Sequence, residues 1–356
     1  MNSVTATGGL KLSAHAEDRR IKIGCIGLGA WGKNLLREFA RTPSAIVTIA
    51  CDPSEAARER ARANHPDIRL TANVDDVLAS DVDAVVIATP PISHYDVASK
   101  AIASGKDVFV EKPLVLDVAD GERLVTQADS AKRILMVGHI MEYNPAIDWL
   151  KRYIAEGGLG NIHYVYATRV NLGQVRDNEN AMWSLAPHDV SMISYLLDDV
   201  PSRVTAVGNS YVRKGIEDVV FMTLEFSNNR MAHIHTSWLD PHKVRSLTIV
   251  GQKRMAVFSD TETQEKIKVF DKGVDVSLNF ETYAEYLTLR TGEVYIPLVD
   301  NAQPLALECR HFVECVRDRK TPRSDGQDGL RVLRVLSAAQ QSLDSGGLPV
   351  EIPHPA

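Results

Sequence analysis

Ile21-Lys22-Ile23-Gly24-Cys25-Ile26-Gly27-Leu28-Gly29-Ala30-Trp31-Gly32 is the stretch whose reading decides the fold. An apolar strand pattern, Ile21 to Ile26, runs directly into three glycines spaced as GxGxxG, and a helical pattern follows. A second apolar run, Ile46 to Ala50, ends at Cys51-Asp52. Glycines in that spacing also punctuate ordinary turns, but between a strand and a helix of a βαβ unit they read as a dinucleotide turn. Gly27 permits the tight turn, Gly29 lets backbone approach a pyrophosphate, and Gly32 lets helix pack on strand. With Ala30 and Trp31 they present unpaired N–H groups at a helix N-terminus to the phosphates. A carboxylate at Asp52 binds ribose hydroxyls and repels a 2′-phosphate, which favours NAD over NADP as cofactor.

Working outward, short apolar strands continue to alternate with amphipathic stretches: Ala84 to Ala88, Val108 to Val110 and Leu135 to Val137. Alternating βα order implies a doubly wound parallel sheet of the Rossmann type, covered on both faces. A helix is expected from Asn144 to about Glu156, stopping at Gly157-Gly158. Beyond Gly160 the texture changes to β-branched and aromatic runs: His163 to Val170, Arg203 to Val207, Val219 to Phe226, Met231 to Trp238 and Ser246 to Val250. Short turns between them, such as Ser227-Asn228-Asn229, predict a large, mainly antiparallel sheet. Helices are expected after Pro187, over about Leu305 to Arg317, and over about Asp328 to Ser342. The fold class expected is thus α/β, with an N-terminal Rossmann domain and a C-terminal α+β domain. Residues 1–19 read as a flexible tail, 20–143 as the dinucleotide-binding domain, and 144–356 as a substrate-binding and oligomerisation domain whose last segment can pack back on the first. One open sheet face calls for cover, and a second subunit, in a homodimer or homotetramer, is the expected cover.

Composition excludes several classes. The 356 residues carry a formal net charge of −6, with Lys and Arg scattered, so the electrostatic footprint of a nucleic-acid binder is missing. No apolar run is long enough to span a bilayer, and the N-terminus lacks the apolar core of a signal peptide, so a cytoplasmic enzyme with no membrane partner is expected. Cys25, Cys51, Cys309 and Cys315 form no CxxC pair; neither a metal site nor a disulfide is expected.

The chemistry-bearing residues cluster at strand ends. The fourth strand ends at Ala88-Thr89-Pro90-Pro91, with Ser93 and His94 opening a helix, and the fifth at Val110-Glu111-Lys112-Pro113. Ligands of open α/β sheets lie beyond the carboxyl ends of the strands, so Thr89, Pro90, His94, Glu111 and Lys112 are expected to share a crevice with the glycine turn. Pro113 favours an extended Lys112 whose ammonium projects into that crevice; a solvated lysine at a strand end is the alternative.

The glycine turn, Ala88-Thr89-Pro90 with His94, Glu111-Lys112-Pro113 and the antiparallel second half resemble the Gfo/Idh/MocA family of NAD(P)-dependent sugar and polyol oxidoreductases. The likeness runs from about Ile21 to Leu348 and includes Gln303-Pro304-Leu305, Glu308, His311, Phe312, Ser324-Asp325-Gly326 and Gly329-Leu330. The resemblance implies that Lys112 is catalytic or orients the substrate hydroxyl and nicotinamide. It implies a second catalytic group at His188, in Trp183-Ser184-Leu185-Ala186-Pro187-His188-Asp189. The family's Asp four residues before that His is replaced here by Ser184, leaving Asp189 as a carboxylate that could act by another path. Pro187 suits a first helical turn, which would put His188 at the positive end of a helix dipole.

Trp183-x-Leu-Ala-Pro-His-Asp, Gly138-His139 and Glu142-Tyr143-Asn144-Pro145 are similar to a branch of bacterial surface-glycan enzymes. That resemblance implies oxidation of the 3-hydroxyl of a UDP-linked amino sugar, UDP-N-acetylglucosamine or its glucuronate counterpart, for surface-glycan or lipid A biosynthesis. Arg169, Lys243 and Arg245 are candidates for the diphosphate or else solvated strand-edge charges. Glu142, Tyr143 and Asn144 could read sugar hydroxyls, with Tyr143 equally a core residue and Asn144 a helix cap. Trp183 either stacks on the ligand or packs. A free-polyol or inositol dehydrogenase and a nonenzymatic NAD-binding regulator are the competing readings; the presence of both Lys112 and His188 disfavours the regulator.

Overall fold

A computed structural model describes residues 20–276 and 287–353; the expected tail, 1–19, lies outside them. The first sheet is formed by β1 (Ile21–Ile26), β2 (Ala45–Cys51), β3 (Arg69–Thr71), β4 (Ala84–Ile87), β5 (Asp107–Val110) and β6 (Leu135–Val137). Its order is β3-β2-β1-β4-β5-β6, all parallel. β4, β5 and β6 are buried along their whole length, as strands covered by helices on both faces must be. The order reverses between β1 and β4, and a crevice opens there beyond the strand ends.

The second sheet has nine strands among the described residues: β7 (Ile162–Val170), β8 (Arg203–Asn209), β9 (Val219–Glu225), β10 (Met231–Ser237), β11 (Val244–Gly251), β12 (Met255–Ser259), β13 (Ile267–Val276), β14 (Leu287–Tyr295) and β15 (Val350–Glu351). They run in the order β14-β13-β12-β11-β7-β10-β9-β8-β15. β7 and β10 pair in parallel and the other neighbours are antiparallel. Residues alternate cleanly between the faces. Val165, Ala167, Val220, Met222, Ala232 and Ile234 form the core under the helices, whereas Tyr164, Tyr166, Phe221 and Met231 stand exposed on the other face. The β9–β10 turn closes with Asn228 and Asn229 both at φ 56°, a conformation that asparagine tolerates better than most residues.

Two late helices reach back to the first sheet. Phe312, on the helix Pro304–Asp318, sets its ring edge-on to Phe39 and Phe109, with centroids 6.0 and 5.7 Å away. On the helix Gly326–Asp344, a Cβ at Gly329 would stand 2.5 Å from the Val137 side chain. Its absence lets the start of that helix lie against β6.

One helix differs from the sequence expectation. The helix that carries His188 begins not at Pro187 but at Ala181, and runs to Leu197, with Pro187 in its interior. Asn180 caps it, accepting from the Trp183 N–H at 3.1 Å. An interior proline costs about 3 kcal/mol in an exposed helix. Here Met182, Ala186, Val190 and Ile193 are fully buried against the second sheet, and that burial outweighs the lost bond. His188 therefore sits in the second to third turn, away from the positive end of the dipole.

Candidate active site

The glycine turn is shaped as its residue types require. Gly27 has φ 94°, and a Cβ there would lie 2.6 Å from the Ala88 carbonyl. At Gly32 it would meet the Gly27 carbonyl oxygen at 2.0 Å. At Gly29 nothing stands within 4 Å, so the backbone at the open mouth of the turn is free to meet a pyrophosphate. Ala30 and Trp31 are exposed on the same rim. Asp52, at the end of β2, accepts from the Leu28 N–H at 2.7 Å and the Ser54 N–H at 2.8 Å. It braces the glycine turn directly while each oxygen keeps a further lone pair for a ribose hydroxyl. These residues fit NAD, the cofactor of this fold.

Across the crevice, Trp31 Nε1 donates to the Glu111 carboxyl, tying the glycine turn to the end of β5. Gly138 makes room for that carboxyl: a Cβ there would lie 3.1 Å from its atoms. Burial pushes Glu111 up to about 7, against the pull of Trp31 and Lys112. Thr89 accepts from Ser93 Oγ at 2.8 Å; Pro90 lies exposed beside it. His94 does not face the crevice. It is fully buried, its ring nitrogens 2.8 Å from the Pro113 carbonyl and 3.0 Å from the Thr89 carbonyl, so it clamps the ends of β4 and β5 together.

Lys112 reaches the helix that carries His188. The Lys112 ammonium donates to the Ser184 main-chain carbonyl at 3.0 Å, one helical turn before His188. Burial lowers the Lys112 pKa; Glu179 and Glu111 partly restore it, and Arg176 and Arg169 lower it further. Burial also holds His188 well below its usual value, reinforced by the positive charges of Lys112 and Arg169. Both groups are thereby biased toward their neutral, proton-accepting forms. Arg176 and Glu179, absent from the sequence reading, lie on the loop before this helix, and only the fold brings that loop to Lys112.

Several expected ligand-reading residues are engaged elsewhere. Arg169 is buried and forks onto Asp189, Nε to Oδ2 at 2.8 Å and Nη2 to Oδ1 at 2.9 Å. This pairing removes Arg169 from the diphosphate set and Asp189 from any relay to His188. Tyr143 is a core residue, hydrogen-bonded to Ser324 Oγ at 3.0 Å. Asn144 caps the helix Pro145–Ala155, accepting from the Ala146 N–H. Trp183 packs, donating from Nε1 to Gln340 at 3.0 Å. Glu142 is buried and accepts from Ser191 Oγ at 2.6 Å. Lys243 stands exposed just before β11. Arg245, at the start of that strand, pairs loosely with Asp260 at 3.7 Å. Lys243 and Arg245 are both exposed to water.

Residues 21–139 match the model of the oxidoreductase family with the NAD-binding Rossmann fold, and residues 147–257 match the GFO/IDH/MocA C-terminal domain. UDP-N-acetylglucosamine 3-dehydrogenase of Acidithiobacillus ferrooxidans is 31% identical over 317 residues, covering 88% of this chain and 94% of that one. The scyllo-inositol 2-dehydrogenase (NAD(+)) of Bacillus subtilis is 26% identical over 355 residues, covering 94% and 97%. The chain spans only about 60% of the length of other curated relatives, among them 2,7-anhydro-N-acetylneuraminate hydratase of Escherichia coli, 28% identical over 232 residues. The solved structure of the Acidithiobacillus enzyme shares the fold, with TM-score 0.77 and 23% identity over 92% of this chain and 98% of that one. The matched halves, in this order and around this crevice, place the chain in the Gfo/Idh/MocA family of oxidoreductases.

Proposed function

We propose that this protein is an NAD-dependent dehydrogenase that oxidises the 3-hydroxyl of a UDP-linked amino sugar, UDP-N-acetylglucosamine first among them, with Lys112 and His188 as its catalytic residues. The observation that carries the reading is the reach of the Lys112 ammonium, from the end of a strand of the first sheet, to the Ser184 carbonyl one helical turn before His188. Hydride leaves a carbinol carbon only as its hydroxyl loses a proton, and a base of pKa near ambient must lie within hydrogen-bond reach. NAD held at the glycine turn would supply the hydride acceptor. Lys112, released from the Ser184 carbonyl, and His188 are the two groups at hand to orient the hydroxyl and take its proton. Exposed Lys243 and Arg245 are the cations available for a diphosphate, whereas Arg176 is paired with Glu179 at 2.5 Å. The likeness over nearly the whole length of a UDP-N-acetylglucosamine 3-dehydrogenase supports this substrate class.

The near full-length likeness to an inositol dehydrogenase supports a second reading, oxidation of a free polyol. Calorimetric titration of the NADH-bound protein with UDP-N-acetylglucosamine, UDP-N-acetylglucosaminuronate and myo-inositol separates the two. Binding of a UDP-sugar but not inositol is expected, followed by NADH formation at 340 nm; binding of inositol alone overturns the sugar-nucleotide assignment.

A further inference from the structure

A groove of about 620 Å³ lies between two helices of the first domain, Gly32–Arg41 after β1 and Glu55–Asn64 after β2, and the reaction as described does not use it. Its lining extends from Leu28 in the glycine turn to Arg41 and Asn64, the last residues of the two helices. The floor is apolar: Leu28 and Leu36 are 3% and 2% exposed, and Ala57 and Ala61 are buried on the second helix. Those alanines, four residues apart on one helical face, are short enough to leave the space above them open. The walls are cationic. Lys33, Arg37 and Arg41 recur every four residues along the first helix and share a face. Arg60 lines the groove from the second helix. All four are exposed, and no aspartate or glutamate lines the groove. Glu38 stands 2.8 Å from Arg37 and 3.7 Å from Arg41, so one carboxylate serves two guanidinium groups. Lys33 and Arg60 have no ion-pair partner among the described residues.

We propose that this groove is a second ligand site, separate from the cofactor crevice, for a small molecule that carries a diphosphate. Like charges four residues apart on a helix repel one another, and an anion seated against Lys33, Arg37 and Arg41 removes that repulsion. A single carboxylate satisfies one guanidinium fork and leaves the opposite wall uncompensated. A diphosphate, with its charge on two linked groups, reaches Arg60 as well, and phosphate oxygens match the planar fork of arginine bidentately. The volume lies within the range of small-ligand sites, and an apolar floor under a few convergent polar groups is their usual construction. In a chain of net charge −6, this concentration of cations without a lining acid is a local feature of the two helices.

Calorimetric titration of NADH-saturated protein, in which the cofactor crevice is filled, decides it, with inorganic pyrophosphate and ADP as the two ligands. Each is expected to bind while the fluorescence of bound NADH stays unchanged. Arg41→Gln and Arg60→Gln should each weaken binding about tenfold, the scale of one hydrogen bond to a charged group, with NADH affinity within about twofold of wild type. Lys100→Gln, at an exposed lysine on the helix His94–Ala103 of the same domain, should leave binding unchanged. Tighter binding of ADP than of pyrophosphate assigns a nucleotide whose nucleoside rests on the apolar floor; equal affinity assigns recognition of the diphosphate alone. Absence of binding, displacement of NADH, or equal losses in Arg60→Gln and Lys100→Gln overturn the proposal. No measurement needs a sugar substrate, so its failure and that of the proposed dehydrogenase are read separately.

Discussion

The Lys112 ammonium reaches across the cleft to the main-chain carbonyl of Ser184, 3.0 Å away. Ser184 occupies the place where the family resemblance led us to look for an aspartate. The lysine finds an acceptor there all the same, in the main-chain carbonyl. At this position a dipole stands where the resemblance implies a charge, so the carboxylates that favour the Lys112 ammonium form are Glu179 and Glu111.

Restoring the carboxylate should therefore change the pH dependence more than the architecture. In Ser184→Asp an anion is added to the residue whose carbonyl holds Lys112, one turn before His188, and is expected to favour the protonated form of each. A neighbouring opposite charge moves a pKa by about one unit or more. The acidic limb of kcat/KM should move to higher pH by about that amount. A pH–rate profile superimposable on wild type would remove the electrostatic account of this position.

Lys112→Met and His188→Asn should each lower turnover about 10² to 10⁴-fold, the scale of positioned acid–base groups. NAD affinity should change little, because the turn that holds it is built by Gly27, Gly29, Gly32 and Asp52. Single-turnover rates and fluorescence titration with NADH check the two halves. Near wild-type turnover in both variants returns these residues to packing roles.

Asp52→Ala should weaken NAD and narrow its advantage over NADP. Two effects act together: loss of the acceptor for the Leu28 and Ser54 N–H groups, and loss of a carboxylate that repels a 2′-phosphate. Dissociation constants for both cofactors test it; equal selectivity in variant and wild type leaves Asp52 as a loop brace alone.

Glu308 gives a prediction about stability. Its carboxyl oxygens are buried with no hydrogen-bond partner among the described residues, and burial, then Glu111, raises its pKa well above 4.5. The folded protein thus binds this proton more tightly than the unfolded chain. The contribution is fully present below pH 4.5 and is lost as pH rises through the folded value. Glu308→Gln cannot ionise, so its urea midpoint should match wild type near pH 5 and exceed it by about 1–3 kcal/mol equivalent at pH 9, the scale of an uncompensated buried polar group. Parallel curves at every pH would count against an ionisable, buried Glu308.

The exposed row Tyr164, Tyr166, Phe221 and Met231 on the open sheet face is expected to pair with a second copy. Light scattering at micromolar concentration should show a dimer or larger, and Phe221→Asp should shift it toward monomer. A wild-type monomer ends that expectation.

The nucleotide half was legible because its chemistry is local. Gly27, Gly32 and Asp52 are defined by neighbours within one βαβ unit, and the parallel strands announce themselves as apolar runs with turns between. The cleft was legible only in part. Lys112 and His188 were pointed to by the family resemblance, whereas Tyr143, Asn144, Trp183 and Arg169 carry the same polar groups whether they meet a sugar or a neighbouring side chain. Their partners, Ser324, Ala146, Gln340 and Asp189, lie at separations from 2 to 181 residues.

The sequence by itself determined the doubly wound nucleotide domain and the mainly antiparallel second sheet, since each follows from periodicity or from a motif read within a few tens of residues. Only the tertiary structure decided the start of the His188 helix and the pairing of Arg169 with Asp189. Burial sets those outcomes. It overrides a local proline signal, decides which charges are spent on each other, and brings together side chains that no spacing along the chain connects.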